Sequence, residues 1–142
     1  MNQKLDRPDF DVIAGWMQPC ERVLDLGCGN GALLKFLIET RGVSGYGIDF
    51  DDANVLAAIR NGVNVIQSNI DAGLAGFGER AFDHVVLSRT LQTIRHTEKL
   101  LAEMLRVGRE AVVSFPNFGY WKNRQAVMDG RMPVSEDLPY QW

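Results

Sequence analysis

The feature that most constrains the fold is a run of apolar residues that leads directly into three alternating glycines. The run occupies residues 22–26, the glycines are Gly27, Gly29 and Gly31, and an amphipathic segment follows over residues 32–41. This pattern predicts a buried strand, a tight turn and a helix whose first backbone N–H groups lie bare at the turn. Because glycine has no Cβ, a ligand can approach that backbone closely. The pattern therefore predicts a cofactor site of the nucleotide type.

Strand-like and helix-like segments alternate along the rest of the chain. Further strands are predicted over residues 43–48, 63–67, 82–88 and 111–115, and helices over residues 9–17, 53–60 and 98–107. Residues 68–80 carry three glycines without a clear period and are predicted to form a loop. Each strand is apolar enough to be covered on both faces. We therefore predict an α/β fold, with a mostly parallel sheet and helices on both faces.

Length and composition exclude several classes of protein. A chain of 142 residues suits one domain, predicted to span residues 1–142. The net charge of −3, without a cluster of Lys or Arg, does not favour nucleic acid as a partner. No apolar run approaches the roughly 18 residues of a membrane span, and no signal peptide begins the chain, so a cytoplasmic protein is expected. Cys20 and Cys28 form no metal-binding pattern, so no metal is expected.

Two kinds of nucleotide site share the glycine arrangement. The spacing Gly27-x-Gly29-x-x-Ala32 satisfies the dinucleotide fingerprint, and Asp49 lies where its ribose-binding acid is expected. The same loop, headed by Asp25, also resembles Asp-x-Gly-x-Gly-x-Gly, the first motif of class I S-adenosylmethionine-dependent methyltransferases. A carboxylate at that position would repel a pyrophosphate but attract a cationic amino group and a sulfonium. S-adenosylmethionine or S-adenosylhomocysteine is therefore the favoured cofactor, and an NAD-type site is the alternative.

Side chains at the other predicted strand ends complete the expected site. Asp49 can accept from both ribose hydroxyls, and the carbonyl oxygen of Asn69 can accept from the adenine amino group. Phe50 and Ile70 are expected to sandwich the adenine. All of these residues lie at the carboxyl ends of parallel strands, where open α/β sheets bind ligands. The predicted cofactor-binding residues are Asp25, Gly27, Cys28, Gly29, Gly31, Asp49, Phe50, Asn69, Ile70 and Ser88.

Several of these residues also have a purely structural interpretation. Gly31 could serve only to allow close packing of helix against strand, and Asp25 could serve only to cap the following helix. Cys28 is expected to be a small neutral loop residue and not a nucleophile, because no histidine or cation lies near it in the sequence. His84 is expected in the core or at the sheet edge.

No catalytic residue is predicted. Residues 88–92 follow the fourth strand and face the expected acceptor side, but Arg89 and Gln92 are poor general bases. A methyl transferase can act mainly by positioning and desolvating its reactants, since the reactive group comes from the cofactor. The site residues alone therefore leave catalysis open.

Segments outside the glycine loop resemble one family. Residues 63–67, 85–92 and 114–124 resemble the methionine biosynthesis protein MetW family, and residues 130–135 and 138–142 extend the resemblance to the last residue. The resemblance implies a Rossmann-like class I methyltransferase fold and a bacterial cytoplasmic protein. It also implies a partner, the homoserine O-acyltransferase of the methionine pathway, which the protein would support or activate. It does not imply that a methyl group is transferred.

The sequence departs from the class I pattern in two places. Asn69 stands where such proteins usually have Asp, and their final β-hairpin, strands six and seven, is expected to lie beyond Trp142. The aromatic and basic residues 118–124 suit a lid over the cofactor, a partner surface or core beneath that hairpin. Two functions follow: a binding or regulatory partner of the acyltransferase, or a small-molecule methyltransferase of unknown acceptor.

Overall fold

The structure is a computed structural model that describes residues 7–134. Its strands are β1 (Arg22–Leu26), β2 (Ser44–Asp49), β3 (Val65–Gln67), β4 (Phe82–Ser88) and β5 (Gly108–Ser114). Its helices are α1 (Pro8–Gly15), α2 (Ala32–Arg41), α3 (Asp52–Arg60), α4 (Thr97–Val107) and α5 (Trp121–Met128). The predicted loop over residues 68–80 contains one short 3₁₀ turn, and a second such turn follows β4. The segment after residue 134 and the expected hairpin lie outside the described residues.

The five strands form one sheet in the order β3-β2-β1-β4-β5, and every neighbouring pair is parallel. The predicted parallel sheet is therefore confirmed. The chain runs outward from β1 to β3 and then crosses back to β4, so the direction of winding reverses between β1 and β4. A reversal of this kind opens a crevice at the carboxyl ends of the two strands. Asp25, near the end of β1, lies beside that crevice.

The sheet has a helical layer and a separate core on each face. Successive side chains of a strand point to opposite faces. Val23 therefore packs with α1 and α2, whereas Leu24 and Leu26 pack with α4 on the other face. The largest fully buried side chains are Met17, Leu24, Leu26, Leu34, Leu37, Ile48, Leu87 and Met104, with four valines. The helices cover both faces of the sheet, as predicted.

Three details differ from the expectations. The helical spacing of residues 9–17 predicts Trp16 on the buried face, but α1 ends at Gly15 and Trp16 is 54% exposed. The apolar spacing of residues 98–107 predicts Leu105 in the core, but Leu105 is 64% exposed, because the buried stripe of α4 runs through Leu100, Met104 and Val107. The fifth strand begins at Gly108, immediately after α4, and not at residue 111.

Candidate functional site

The three loop glycines all adopt the left-handed conformation, but their surroundings differ. Their φ angles are 66° for Gly27, 56° for Gly29 and 75° for Gly31. A Cβ on Gly27 would lie 2.9 Å from Thr90 Cγ2, and one on Gly31 would lie 3.0 Å from Val63 Cγ2. A Cβ on Gly29 would meet nothing within 4 Å. The backbone at Gly29 therefore faces open space, whereas Gly31 allows close packing.

Two cavities adjoin the loop, and together they account for almost every predicted site residue. The inner cavity, about 420 Å³, is lined by Asp25, Gly27, Cys28, Gly29 and Ser88, among others. The outer cavity, about 950 Å³, is lined by Gly27, Gly29, Asp49, Phe50, Asn69 and Ile70, among others. The shared glycines join the two cavities into one crevice. Gly31 lines neither cavity, in line with its structural interpretation.

Asp25 places a buried carboxyl group at the edge of the inner cavity. The residue is 2% exposed, and within residues 7–134 its Oδ2 atom has no hydrogen-bond partner. Burial raises the pKa of this carboxyl to about 7, the nearby charge of Asp49 adds to the rise, and Arg7 opposes it. A buried oxygen without a donor is costly, and a cationic donor entering the cavity would remove that cost. The site thus fits an ammonium group.

Asp49 holds the glycine loop to the end of β2. Its Oδ2 accepts from the Gly29 N–H at 2.9 Å, and its Oδ1 accepts from the Asp51 N–H at 3.0 Å and from Asn54 Nδ2 at 3.3 Å. The sequence did not predict these hydrogen bonds of Asp49. A carboxylate oxygen can accept two hydrogen bonds, so Oδ2 keeps acceptor capacity for a ligand hydroxyl.

The residues expected around the adenine differ from one another in their surroundings. The Asn69 Oδ1 atom accepts from the Asp71 N–H at 3.0 Å and so begins the 3₁₀ turn Ile70–Ala72. The oxygen expected to recognise adenine therefore already has an intrachain donor. Ile70 is 8% exposed and belongs to the core, whereas Phe50 is 72% exposed. Both side chains nevertheless line the outer cavity, Ile70 from the core and Phe50 from the surface.

Cys28 lies in the glycine loop and His84 is buried within β4, as expected. Burial and the charges of Asp25 and Asp49 raise the pKa of the Cys28 thiol to about 12, so the thiol is neutral near pH 7. His84 is 3% exposed, and its Nε2 atom lies 3.0 Å from Glu21 Oε2, near the amino end of β4. It lies outside both cavities.

Sequence reasoning missed several residues that line the crevice. Arg7 and Phe10 line the inner cavity, Asn54 lines the outer cavity, and Thr93 lines both. Thr90 packs against Gly27. Thr90 belongs to residues 88–92, which the sequence predicts on the acceptor side, and Thr93 follows that segment directly. Nothing in the sequence near Arg7 marks it, because its place depends on how α1 packs.

Comparison with solved structures shows the class of fold. A Thermotoga maritima S-adenosylmethionine-dependent methyltransferase matches with a TM-score of 0.70 and 17% identity, covering 85% of this chain and 56% of that one. An Archaeoglobus fulgidus methyltransferase matches with a TM-score of 0.69 and 22% identity, covering 78% and 52%. A Geobacter sulfurreducens methyltransferase, solved with S-adenosyl-L-homocysteine, matches with a TM-score of 0.59 and 19% identity, covering 75% and 47%. The chain therefore has the Rossmann-like class I methyltransferase fold.

Comparison of sequences identifies the family. The model of the methionine biosynthesis protein MetW family matches residues 7–142, so the chain belongs to the MetW family. A curated relative, the bifunctional methionine biosynthesis protein MetXA/MetW of Rhodopirellula baltica, is 39% identical over 130 residues. The match covers 84% of this chain and 21% of the relative, so the chain spans about a fifth of that protein's length.

Two features are absent from the described residues. No helix between residues 7 and 134 is long and apolar enough to cross a membrane. The same part of the chain brings together no group of three or more His, Cys, Asp or Glu side chains suited to a metal ion.

Proposed function

We propose that this MetW-family chain binds S-adenosylmethionine or S-adenosylhomocysteine and supports or activates homoserine O-acyltransferase. The observation that carries the binding part is the buried Asp25 oxygen without a donor, beside the open backbone of Gly29. The partner is implied by the resemblance to MetW and is supported by a relative whose name joins MetXA and MetW in one bifunctional protein. A fused pair of modules has a high effective concentration of each for the other.

The proposed roles follow from the two cavities. Asp25 binds the amino group of the ligand in the inner cavity, where its Oδ2 atom has no hydrogen-bond partner within residues 7–134. Asp49 accepts from a ribose hydroxyl through Oδ2 while it holds the Gly29 N–H. Phe50 and Ile70 flank the base in the outer cavity. When bound, S-adenosylmethionine supplies an activated methyl group on its sulfonium.

A second function, methyl transfer to a small molecule, is favoured by the intact set of Asp25, glycine loop and Asp49 on a methyltransferase fold. Of the described residues that line the inner cavity, the ionisable ones are Asp25, Cys28 and two arginines. Once Asp25 pairs with an amino group, the neutral Cys28 thiol and the arginines provide no general base within the described lining of the inner cavity. Binding without turnover is therefore the preferred function.

Thermal unfolding tests the cofactor. A ligand that binds only the folded state raises the melting temperature. We expect S-adenosylmethionine and S-adenosylhomocysteine to raise it and NAD to leave it unchanged. Asp49→Ala should abolish the shift, while Asp129→Ala, which alters an exposed acid outside both cavities, should retain it. A shift with NAD alone would contradict the proposed cofactor.

An activity assay tests the partner. The acyltransferase should co-elute with this protein in size-exclusion chromatography, and its rate should rise when the protein is added. The proposed function fails if the two proteins elute separately and the rate is unchanged. Release of S-adenosylhomocysteine from S-adenosylmethionine in the presence of a metabolite extract would instead support the methyltransferase.

A further inference from the structure

The loop between β3 and β4 forms one wall of the outer cavity. Residues 68–72 line that cavity and include the 3₁₀ turn Ile70–Ala72. Residues 73–81 form no helix or strand, and Gly73 begins them with a φ of 97°. A segment outside regular structure must find partners for its backbone groups in other parts of the fold. The contacts that it finds therefore decide how firmly the cavity wall is held.

Arg106, near the end of α4, holds this loop at three points. Its Nη2 atom donates to the Leu74 carbonyl oxygen at 3.0 Å, and its Nη1 atom donates to the Phe77 carbonyl oxygen at 2.9 Å. Its own backbone carbonyl oxygen accepts from the Arg80 N–H at 2.8 Å. The loop is thus fixed to α4 along most of its length.

Glu103, one turn earlier in α4, keeps the guanidinium group of Arg106 in this position. Its Oε1 accepts from Arg106 Nε at 2.7 Å, and its Oε2 accepts from Nη2 at 2.8 Å and from the Leu74 N–H at 3.2 Å. The hydrogen bonds from Arg106 lower the pKa of Glu103 to about 2, so the carboxylate is ionised near pH 7. A planar guanidinium suits this paired geometry, which an ammonium group cannot reproduce.

The held part of the loop is connected to the part that lines the outer cavity. Leu74 is 2% exposed and belongs to the same core as Ile70, and both line a small cavity of about 280 Å³. Beside Ile70, Asp71 Oδ1 accepts from the Arg95 N–H at 3.1 Å, which joins the two walls of the outer cavity. Because a packed interior transmits strain, a shift at Leu74 would reach Ile70.

We propose that Glu103 and Arg106 are positioning residues for the nucleoside half of the ligand, because they hold residues 70–77 as the wall beside the base. Neither residue lines the inner or the outer cavity, so both act through the loop. A released loop samples conformations that do not fit the ligand, and the apparent affinity falls with the fraction of molecules that remain competent. This inference rests on the proposed function, which places the base beside Ile70.

Two fragments of the ligand separate its nucleoside half from its amino-acid half. Adenosine should bind beside the loop and methionine beside Asp25, and NMR titration measures each affinity. In Arg106→Gln the affinity for adenosine should fall about tenfold, which corresponds to a competent fraction of about one tenth. The affinity for methionine should stay unchanged. An equal loss for both fragments, or no loss for either, would overturn the proposal.

Further variants test the geometry of the pair. Arg109→Gln is the matched control and should leave both affinities unchanged, because Arg109 pairs with Asp83 and lines neither cavity. Glu103→Gln should weaken adenosine binding several-fold, because its amide places a donor where Arg106 or the Leu74 N–H needs an acceptor. Arg106→Lys should bind adenosine as weakly as Arg106→Gln, because one ammonium group cannot donate to the carboxylate and both carbonyls. Full affinity in Arg106→Lys would contradict the role of the guanidinium.

Hydrogen exchange in the free protein shows whether the effect is local. Arg106→Gln should accelerate exchange at residues 70–77 more than in β1 and β4, because the loop opens without global unfolding. Equal acceleration in all of these segments would mean that Arg106 serves only global stability, and the proposal would fail.

Binding to the wild type separates this inference from the proposed function. If S-adenosylhomocysteine does not bind the wild type, the proposed cofactor is wrong. If it binds, but Arg106→Gln binds adenosine as well as the wild type does, the cofactor stands and the positioning pair is wrong. If adenosine alone binds, and Arg106→Gln weakens it, the positioning pair is supported without the cofactor.

Discussion

Asp25 shows how a single side chain links stability to binding. Its folded-state pKa of about 7 is well above the value near 3.9 expected in the unfolded chain. Between these two values the folded protein holds a proton that the unfolded protein has lost. Raising the pH through this range therefore removes stability, and above pH 7 the loss is complete. The ionised carboxylate is a cost that a cationic ligand would offset.

The variant Asp25→Asn measures the free-energy cost of burying the ionised carboxylate. At pH 8 the variant should have a higher free energy of unfolding than the wild type, by up to about 4 kcal/mol for about three pKa units. At pH 4 the difference should nearly vanish, because the wild-type carboxyl is then protonated in the folded state. Urea denaturation at the two pH values gives the measurement, with Asp129→Asn as an exposed control. An equal difference at both pH values would contradict the pKa.

The affinity for S-adenosylhomocysteine should depend on the same proton. Below pH 7 the carboxyl of Asp25 must lose its proton to pair with an ammonium group, so the affinity should fall by up to about tenfold for each pH unit. Asp25→Asn should bind weakly with little pH dependence in this range. Calorimetric titration between pH 5.5 and about 8 would measure both profiles. If the affinity of the wild type did not change with pH, Asp25 would not be the residue that binds the ligand.

At the scale of elements, the three glycines of the turn between β1 and α2 have different roles. All three need a left-handed φ, but only Gly29 has open space where a side chain would project. Gly31 instead faces Val63 and Ala58, which bring the end of α3 close to the start of α2. The glycine spacing predicts both residues in the binding site, because spacing alone does not show whether a ligand or a neighbouring helix lies against a glycine.

Two alanine variants should separate these roles. Gly31→Ala should lower the free energy of unfolding by about 2–3 kcal/mol, from the left-handed backbone and from overpacking against Val63. Gly29→Ala should cost only the backbone part, about 1–2 kcal/mol, but it should lose more S-adenosylhomocysteine affinity than Gly31→Ala. Urea denaturation and calorimetry on the same samples provide the two readouts, and each variant is the control for the other. The reverse order of affinities would place the ligand beside Gly31.

At the scale of the whole molecule, β1 and β4 lie at the centre of the described sheet. Each has a hydrogen-bonded strand on both sides and a helical layer on both faces. β3 lies at one edge, has only three residues and is partly exposed. Stability against local opening should therefore decrease from the centre of the sheet towards β3.

Hydrogen exchange would measure this gradient. The slowest amides should belong to β1 and β4 and should exchange only through global unfolding, whereas those of β3 should exchange faster through local opening. A saturating ligand in the crevice should slow exchange at residues 27–31 more than in β3. Equal protection across the sheet would contradict the gradient.

The sequence by itself determined the elements and the chemistry at their ends. The apolar run, the glycine turn and the amphipathic segment that follows act over a few neighbouring residues, so their steric and hydrophobic rules can be read locally. The same rules predicted Asp25 and Asp49 at the carboxyl ends of parallel strands. The final residues of β1, β2 and β4 were also predicted to meet at one edge, and β1 pairs with the other two strands.

Only the tertiary structure decided which of these side chains are in contact and which hydrogen-bonding atoms each of them can still offer to a ligand. It joined the Gly29 N–H to Asp49, engaged the Asn69 oxygen within its own turn, and packed Gly31 against Val63. It also brought Arg7 beside a strand end 82 residues away at Arg89. Such contacts depend on strand order and helix packing, which arise from the summed burial of both cores, and no local pattern encodes them.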